Sequence, residues 1–192
     1  MTGSGDWRSR RWESTHQRIY DVALALFEEH GFDQVSIGQI AAGAGVSVPT
    51  FYAHYPSKEH LVMQLPSGDD VAALLSTQPA DLPIGQRMRH AVSSFFAQWD
   101  MTAQLARWRI IATTPSLRRR AAEFERATAA LVVDALPRPS GAPAGPSDAI
   151  VINAYLAAFT AGVLVWADSD GEKEIGAAVE EAFEALEALR RR

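Results

Sequence analysis

The residues able to do chemistry in this chain point to contact with a partner rather than to catalysis. None of the 192 residues is cysteine, which removes disulfides, thiolate metal ligands and thiol nucleophiles together. His16, His30, His60 and His90 have no spacing suited to a metal site, and no Ser/His/Asp order or paired-acid motif stands out. Gly43-Ala44-Gly45 follows a helical pattern rather than a strand and lacks the rest of a dinucleotide fingerprint. The expectation is no enzyme, no metal and no cofactor. What remains is a distribution of charge. Net charge is −5, yet four arginines and one acid occupy Trp7–Arg18, and no acid occurs from Gln34 to Lys58. The acids of this half fall mainly at Asp21, Glu28, Glu29 and Asp33, where they can face away from an anionic partner.

The elements that position these residues read almost entirely as helix. From Ile19, the residues Ile19, Val22, Ala23, Leu26 and Phe27 follow the spacing of one buried helical face. Ser14 with Gln17 forms a capping box at its expected start, and Gly31-Phe32 suits a left-handed C-terminal cap. Ser36 with Gln39 opens a short second helix carrying Ile37, Ile40 and Ala41. Gly45 supplies a tight turn, and Ser47 caps a third helix running to about Tyr55. Pro49 falls in the first turn of that helix, where a missing N–H costs little. Two short helices joined by a glycine turn are the helix-turn-helix arrangement, although a plain helical hairpin has the same spacing.

The segment Ser36–Leu61, SIGQIAAGAGVSVPTFYAHYPSKEHL, resembles the DNA-binding region of the TetR family of repressors. The features that carry the resemblance are Ile40-Ala41, Ala44-Gly45-Val46-Ser47, Thr50-Phe51-Tyr52, Tyr55 and Ser57-Lys58-Glu59 before Leu61. Ala25, Phe27, Gly31 and Phe32 extend it back to about Arg18. The resemblance implies that Phe51 and Tyr55 pin the third helix to the scaffold, with Val46 under the turn. It also implies that Val48, Pro49, Thr50, Ala53 and His54 face the major groove, with Ser47 among the DNA-binding residues. Thr50, Tyr52 and Lys58 would then meet phosphates, with Ser36 and Gln39 also near DNA. This face has no arginine, glutamine or asparagine for bidentate base contacts. Thymine-methyl contact, DNA shape and an arm of Arg8, Arg10 and Arg11 in a minor groove would have to supply specificity. A merely solvated tail is the competing reading of those arginines.

Ser57 caps a fourth helix that begins at Lys58–Glu59 and is interrupted before Val71–Ser76, and helices follow at about Ile84–Trp99, Ala103–Ala112, Ser116–Leu136, Ser147–Ala167 and Gly171–Arg191, about nine in all by this reading. Pro66-Ser67-Gly68 breaks a connecting helix, and Pro137–Pro146 is the clearest loop. Ala149–Ala167 is barely long enough to span a bilayer, and burial at a subunit interface suits it better than a membrane. The N-terminal residues contain no apolar run of the secretory kind, consistent with a cytoplasmic protein. The expected fold is all-α, with an N-terminal arm and helix-turn-helix over residues 1–60 and a helical domain over 61–192.

The same resemblance implies that this second domain binds a ligand and forms a homodimer. The apolar faces of the last two helices agree with a two-fold four-helix interface. Met88, Phe95, Phe96, Trp99, Leu105, Trp108 and Trp166 are large soft side chains that could line an apolar pocket, with Arg109 for an anionic head group. Ordinary core packing uses the same residues. Arg109–Leu136 and the end Trp166-Ala167-Asp168 also resemble a TetR subset linked to mycofactocin or acyl-coenzyme-A-like ligands. The expected function is a ligand-responsive regulator, a repressor that binds a palindromic operator as a dimer and is released by a small apolar or amphipathic effector. A helical ligand-binding protein without sequence-specific DNA binding is the alternative.

Overall fold

The computed structural model describes residues 3–64, 66–79, 81–97, 99–136 and 145–190, and among them every regular element is helical. The described residues form ten α-helices and one 3-10 turn. The chain divides into two compact units, Met1–Gln64 and Leu65–Arg192.

In the first unit, α1 (Gly3–His30) packs on α2 (Ile37–Gly43), which packs on α3 (Val48–His54), with the 3-10 turn Phe32–Gln34 following α1. Ile19, Ala23 and Phe27 of α1 are buried with Phe32, Ile40, Phe51 and Leu61, so the expected apolar face closes the core. Helix α1 begins eleven residues or so ahead of the expected start, and Ser14 lies inside it rather than capping it. The capping pattern at Ser14–Gln17 is locally real, yet the residues before it propagate a helix at little cost once a nucleus exists. The Ser36 box does form: Ser36 Oγ accepts from Gln39 N at 3.2 Å while Gln39 Oε1 accepts from Ser36 N at 2.8 Å. Gly45 sits at φ 65, the left-handed turn that joins α2 to α3. Helix α4 (Glu59–Val62) is a single turn, and its N-cap is Lys58, whereas Ser57 Oγ pairs with His60 Nδ1 at 2.9 Å.

In the second unit the helices are α5 (Gly68–Ser76), α6 (Ile84–Phe96), α7 (Met101–Thr113), α8 (Pro115–Ala135), α9 (Pro146–Asp168) and α10 (Ile175–Arg190). Ser67 caps α5 through a box with Asp70, and Asp100 caps α7 by accepting from Thr102 N and Ala103 N. Pro115 occupies the first turn of α8, as its fixed φ favours. Residues 137–144 of the expected loop, and the expected helix end at Arg191, lie outside the described residues. The last helix starts at Ile175 rather than Gly171, because Asp170 and Gly171 take positive φ and break the chain direction first.

Helix α9 is the axis of this unit, with α6, α7, α8 and α10 all packed against it. It is long and apolar enough to cross a membrane, but Ile152, Tyr155, Val163 and Trp166 are buried against protein. Its crossing with α10 is tight at Gly162, where a Cβ would stand 2.6 Å from the Val179 Cα. Only glycine allows that approach.

Candidate nucleic-acid interface and effector domain

The turn between α2 and α3 fixes which face of α3 is free. Phe51 is fully buried, and Tyr55 is 3% exposed, with its hydroxyl donating to the His16 carbonyl at 3.2 Å. Burial holds the Tyr55 phenol well above its ordinary value, so it stays protonated and able to donate. Arg18 Nε donates to the Ala44 carbonyl at 2.9 Å and ties α1 to the end of α2. With those residues facing inward, Val48 and Tyr52 stand out at 41% and 52% exposure, beside exposed Ser47, Pro49 and Ala53. Ser47 Oγ accepts from Thr50 N and pairs with Thr50 Oγ1 at 2.8 Å, so these two hydroxyls are tied to the cap.

Three expected contacts come out differently. His54 turns back toward α1, its ring 4.8 Å from Trp12 and 5.7 Å from His16, instead of projecting from α3. The reason is position: His54 closes the last turn of α3, where the aromatic ledge of Trp12, His16 and Tyr55 offers more contact than water does. Lys58 is drawn inward, with Nζ donating to the Phe32 and Val35 carbonyls at 2.8 and 3.1 Å and lying over the Phe32 ring. Its ammonium satisfies carbonyls at the 3-10 turn that the helix ends leave open. Arg8, Arg10 and Arg11 are exposed, but on helix α1 and not on an extended arm. A helix about 10 Å across does not enter a minor groove about 6 Å wide.

The Trp12–His16–His54–Tyr55 stack is a feature that the sequence reading missed, although Trp12 and His16 are four apart. Burial lowers the pKa of both histidines, and the neighbouring His54 lowers that of His16 further. The folded form therefore binds fewer protons than the unfolded chain as pH falls through the ordinary histidine value of ~6.5. Stability is present above that range and is lost below it. Denaturant midpoints measured from pH 8 down to about 5.5 should fall, and a His16→Phe/His54→Phe variant should fall less. Parallel declines in the two proteins would remove the histidines from the account.

In the second unit, the eight residues expected to bind ligand do not form one site. Met88 and Trp166 are fully packed in the core, at 5% and 3% exposure. Phe96, Trp99, Leu105 and Trp108 are half-buried against that core, and Phe96 and Trp99 gather with Phe159 at ring distances of 5.2 to 6.5 Å. Arg107 lies over the Trp99 and Trp108 rings at 5.9 and 5.7 Å. Phe95 points outward at 39% exposure, because its α6 position carries it past the core. Arg109 also points outward and pairs with Asp170, a surface ion pair rather than an interior anchor. A cavity of about 390 Å³ lies elsewhere, lined by Pro83, Ile84, Gly85 and Gln86 of the α6 start, Val151 and Tyr155 of α9, and Glu187 of α10. None of the expected residues lines it. Two of its polar groups are linked to each other: Tyr155 donates to Glu187 at 2.7 Å, and Arg89 reaches the same carboxylate.

Residues 19–65, the helix-turn-helix just described, match the family described as "Bacterial regulatory proteins, tetR family". Over that segment the chain is similar to the TetR family. MftR of Mycobacterium tuberculosis, named as a mycofactocin biosynthesis transcriptional regulator, is 32% identical over 56% of this chain and 57% of its own length. The transcriptional regulator EthR of the same species is 33% identical over 41% of this chain and 38% of its own. The chain thus spans about half the length, or less, of these curated relatives. Among solved structures, NalD of Pseudomonas aeruginosa, a repressor of a multidrug efflux pump, superposes with TM-score 0.56 at 22% identity over 91% of this chain and 96% of that one. FadR of Thermus thermophilus with lauroyl-CoA gives 0.52 at 18% identity over 89% and 92%. At such identities the superpositions establish the TetR fold and nothing about ligands.

Proposed function

We propose that this protein is a ligand-responsive transcriptional regulator that binds a palindromic operator as a homodimer and acts as a repressor in the cytoplasm. Unit Met1–Gln64 carries DNA recognition and Leu65–Arg192 carries dimerisation and effector binding. The observation that carries this reading is the division of labour on α3. Phe51 and Tyr55 lock the helix to its scaffold while Val48, Pro49, Tyr52 and Ala53 are left facing outward. Tyr52 and the hydroxyls of Ser47 and Thr50 are suited to phosphates, Val48 and Ala53 to thymine methyls, and the Gln39 amide N–H₂ and Ser36 to the flank. With His54 turned inward and no bidentate base reader on this face, DNA shape carries much of the specificity.

Dimerisation through α9 and α10 is supported by Ile150, Val165 and Leu189, which stand exposed at 68%, 44% and 70% on those helices. The aromatic group of Phe96, Trp99, Leu105 and Trp108 favours an apolar or amphipathic effector, the class to which the lauroyl-CoA held by FadR belongs. An effector releases DNA only by binding the non-DNA conformation more tightly. Repression of a dimer-spaced operator also requires the two α3 helices to match half-sites about one helical turn apart. Selection of duplexes from a random pool by full-length protein tests the reading. A two-fold palindrome should be enriched. Failure of a folded, dimeric sample to enrich any sequence would favour a ligand-binding protein without operator recognition.

A further inference from the structure

Helix α6 carries one cation in the interior. Arg87 is 4% exposed, and its Nε and Nη2 are shielded from solvent without a hydrogen-bond partner. A guanidinium keeps its charge at every accessible pH, so it cannot neutralise itself as a buried lysine does. Its neighbours on the helix show where it points. Gly85 meets the Tyr155 ring of α9, and Arg89 reaches Glu180 and Glu187 of α10. Each lies two residues from Arg87, and thus about 200° around the helix from it. The other helix packed on α6 is α5, which buries Val71 and Leu75 and rests in turn on α8. By that rotation Arg87 falls on the side of α6 away from α9 and α10, toward α5 and the apolar residues Val71 and Leu75 that α5 buries. The two unpartnered nitrogens share one edge of the guanidinium, the edge that grips a carboxylate with two parallel N–H···O bonds.

We propose that Arg87 anchors the carboxylate of an amphipathic ligand whose apolar chain lies in the α5–α6–α8 layer. The proposal rests on reading Leu65–Arg192 as the effector domain, and gives that effector a chemical class. A purely structural arginine would be expected to have both donors on that edge paired.

The test uses full-length protein freed of co-purified lipid, its Arg87→Met variant, and three probes: dodecanoate, dodecan-1-ol and acetate at matched ionic strength. Wild type should bind dodecanoate at least about tenfold more tightly than the alcohol, and Arg87→Met should bring the two within about twofold. Without ligand, the variant should unfold at the same or a higher temperature, since methionine fills the space without an unpaired charge. Equal affinities in wild type, no dodecanoate binding, a preference kept by the variant, or a lower unfolding temperature of the ligand-free variant would overturn the proposal. Acetate binding as tightly as dodecanoate would overturn the amphipathic class. DNA retention on the same samples separates the two readings: dodecanoate held at Arg87 without release of DNA supports the site and counts against the effector role.

Discussion

Tyr52→Glu should abolish operator binding, a loss of about a hundredfold or more, because a carboxylate set against phosphates costs several kcal/mol. The residue is 52% exposed on α3, and its ring meets the Phe51 ring edge-on at 5.6 Å. Stability should therefore change by about 0.5 kcal/mol or less, as for ordinary surface substitutions. Tyr52→Phe is the matching control, losing the hydroxyl alone and about tenfold or less in affinity. Mobility shift with the selected duplex, beside a denaturant curve for each variant, reads both quantities. Retained binding by a folded Tyr52→Glu protein would mean that this face of α3 does not meet DNA.

The neighbouring residue should behave in the opposite way. Phe51→Ala removes a ring with no exposed surface, and its expected cost is about 3–5 kcal/mol in transfer and cavity terms. A unit of this size has a total stability of only about 5 kcal/mol, so the helix-turn-helix should be largely unfolded at 37 °C. DNA binding is then lost through folding, and the far-ultraviolet helical signal falls with it. Phe51→Leu should recover most of both, since it restores much of the volume. A Phe51→Ala protein that folds normally but fails on DNA would move this residue from scaffold to contact. Two adjacent residues thus separate the structural and the recognition roles of one helix.

The parts of the fold that rest on local chemistry were legible from residue types alone. Ser36 with Gln39, Gly45, Ser47 and Pro49 each dictate a cap or a turn at a fixed offset, and the helices begin and turn there. Ile19, Ala23 and Phe27 likewise announce a buried face by their spacing. What depended on tertiary neighbours was not legible. Nothing local says that His54 meets Trp12, forty-two residues away, or that Lys58 is claimed by carbonyls near Phe32. Ser14 shows the reverse problem, a genuine capping pattern overridden by helix already formed ahead of it.

The second unit was harder for a physical reason. Aromatic richness at helical spacing describes a packed core and a pocket wall equally well, so Met88 and Trp166 were indistinguishable from Phe96 and Trp99. The two arginines in Gln86-Arg87-Met88-Arg89 look alike in sequence. One pairs with Glu180 and Glu187 of α10, and the other is buried with donors unpartnered. Only the packing of α6 between α5, α9 and α10 tells them apart.

The most direct test of the central claim is a salt titration of binding to the selected palindrome, run beside a duplex with one half-site scrambled. The account predicts that the palindrome binds at least about tenfold more tightly, and that its affinity falls steeply with salt as phosphate contacts release several counterions. Equal affinity for the two duplexes, or binding indifferent to salt, would contradict it.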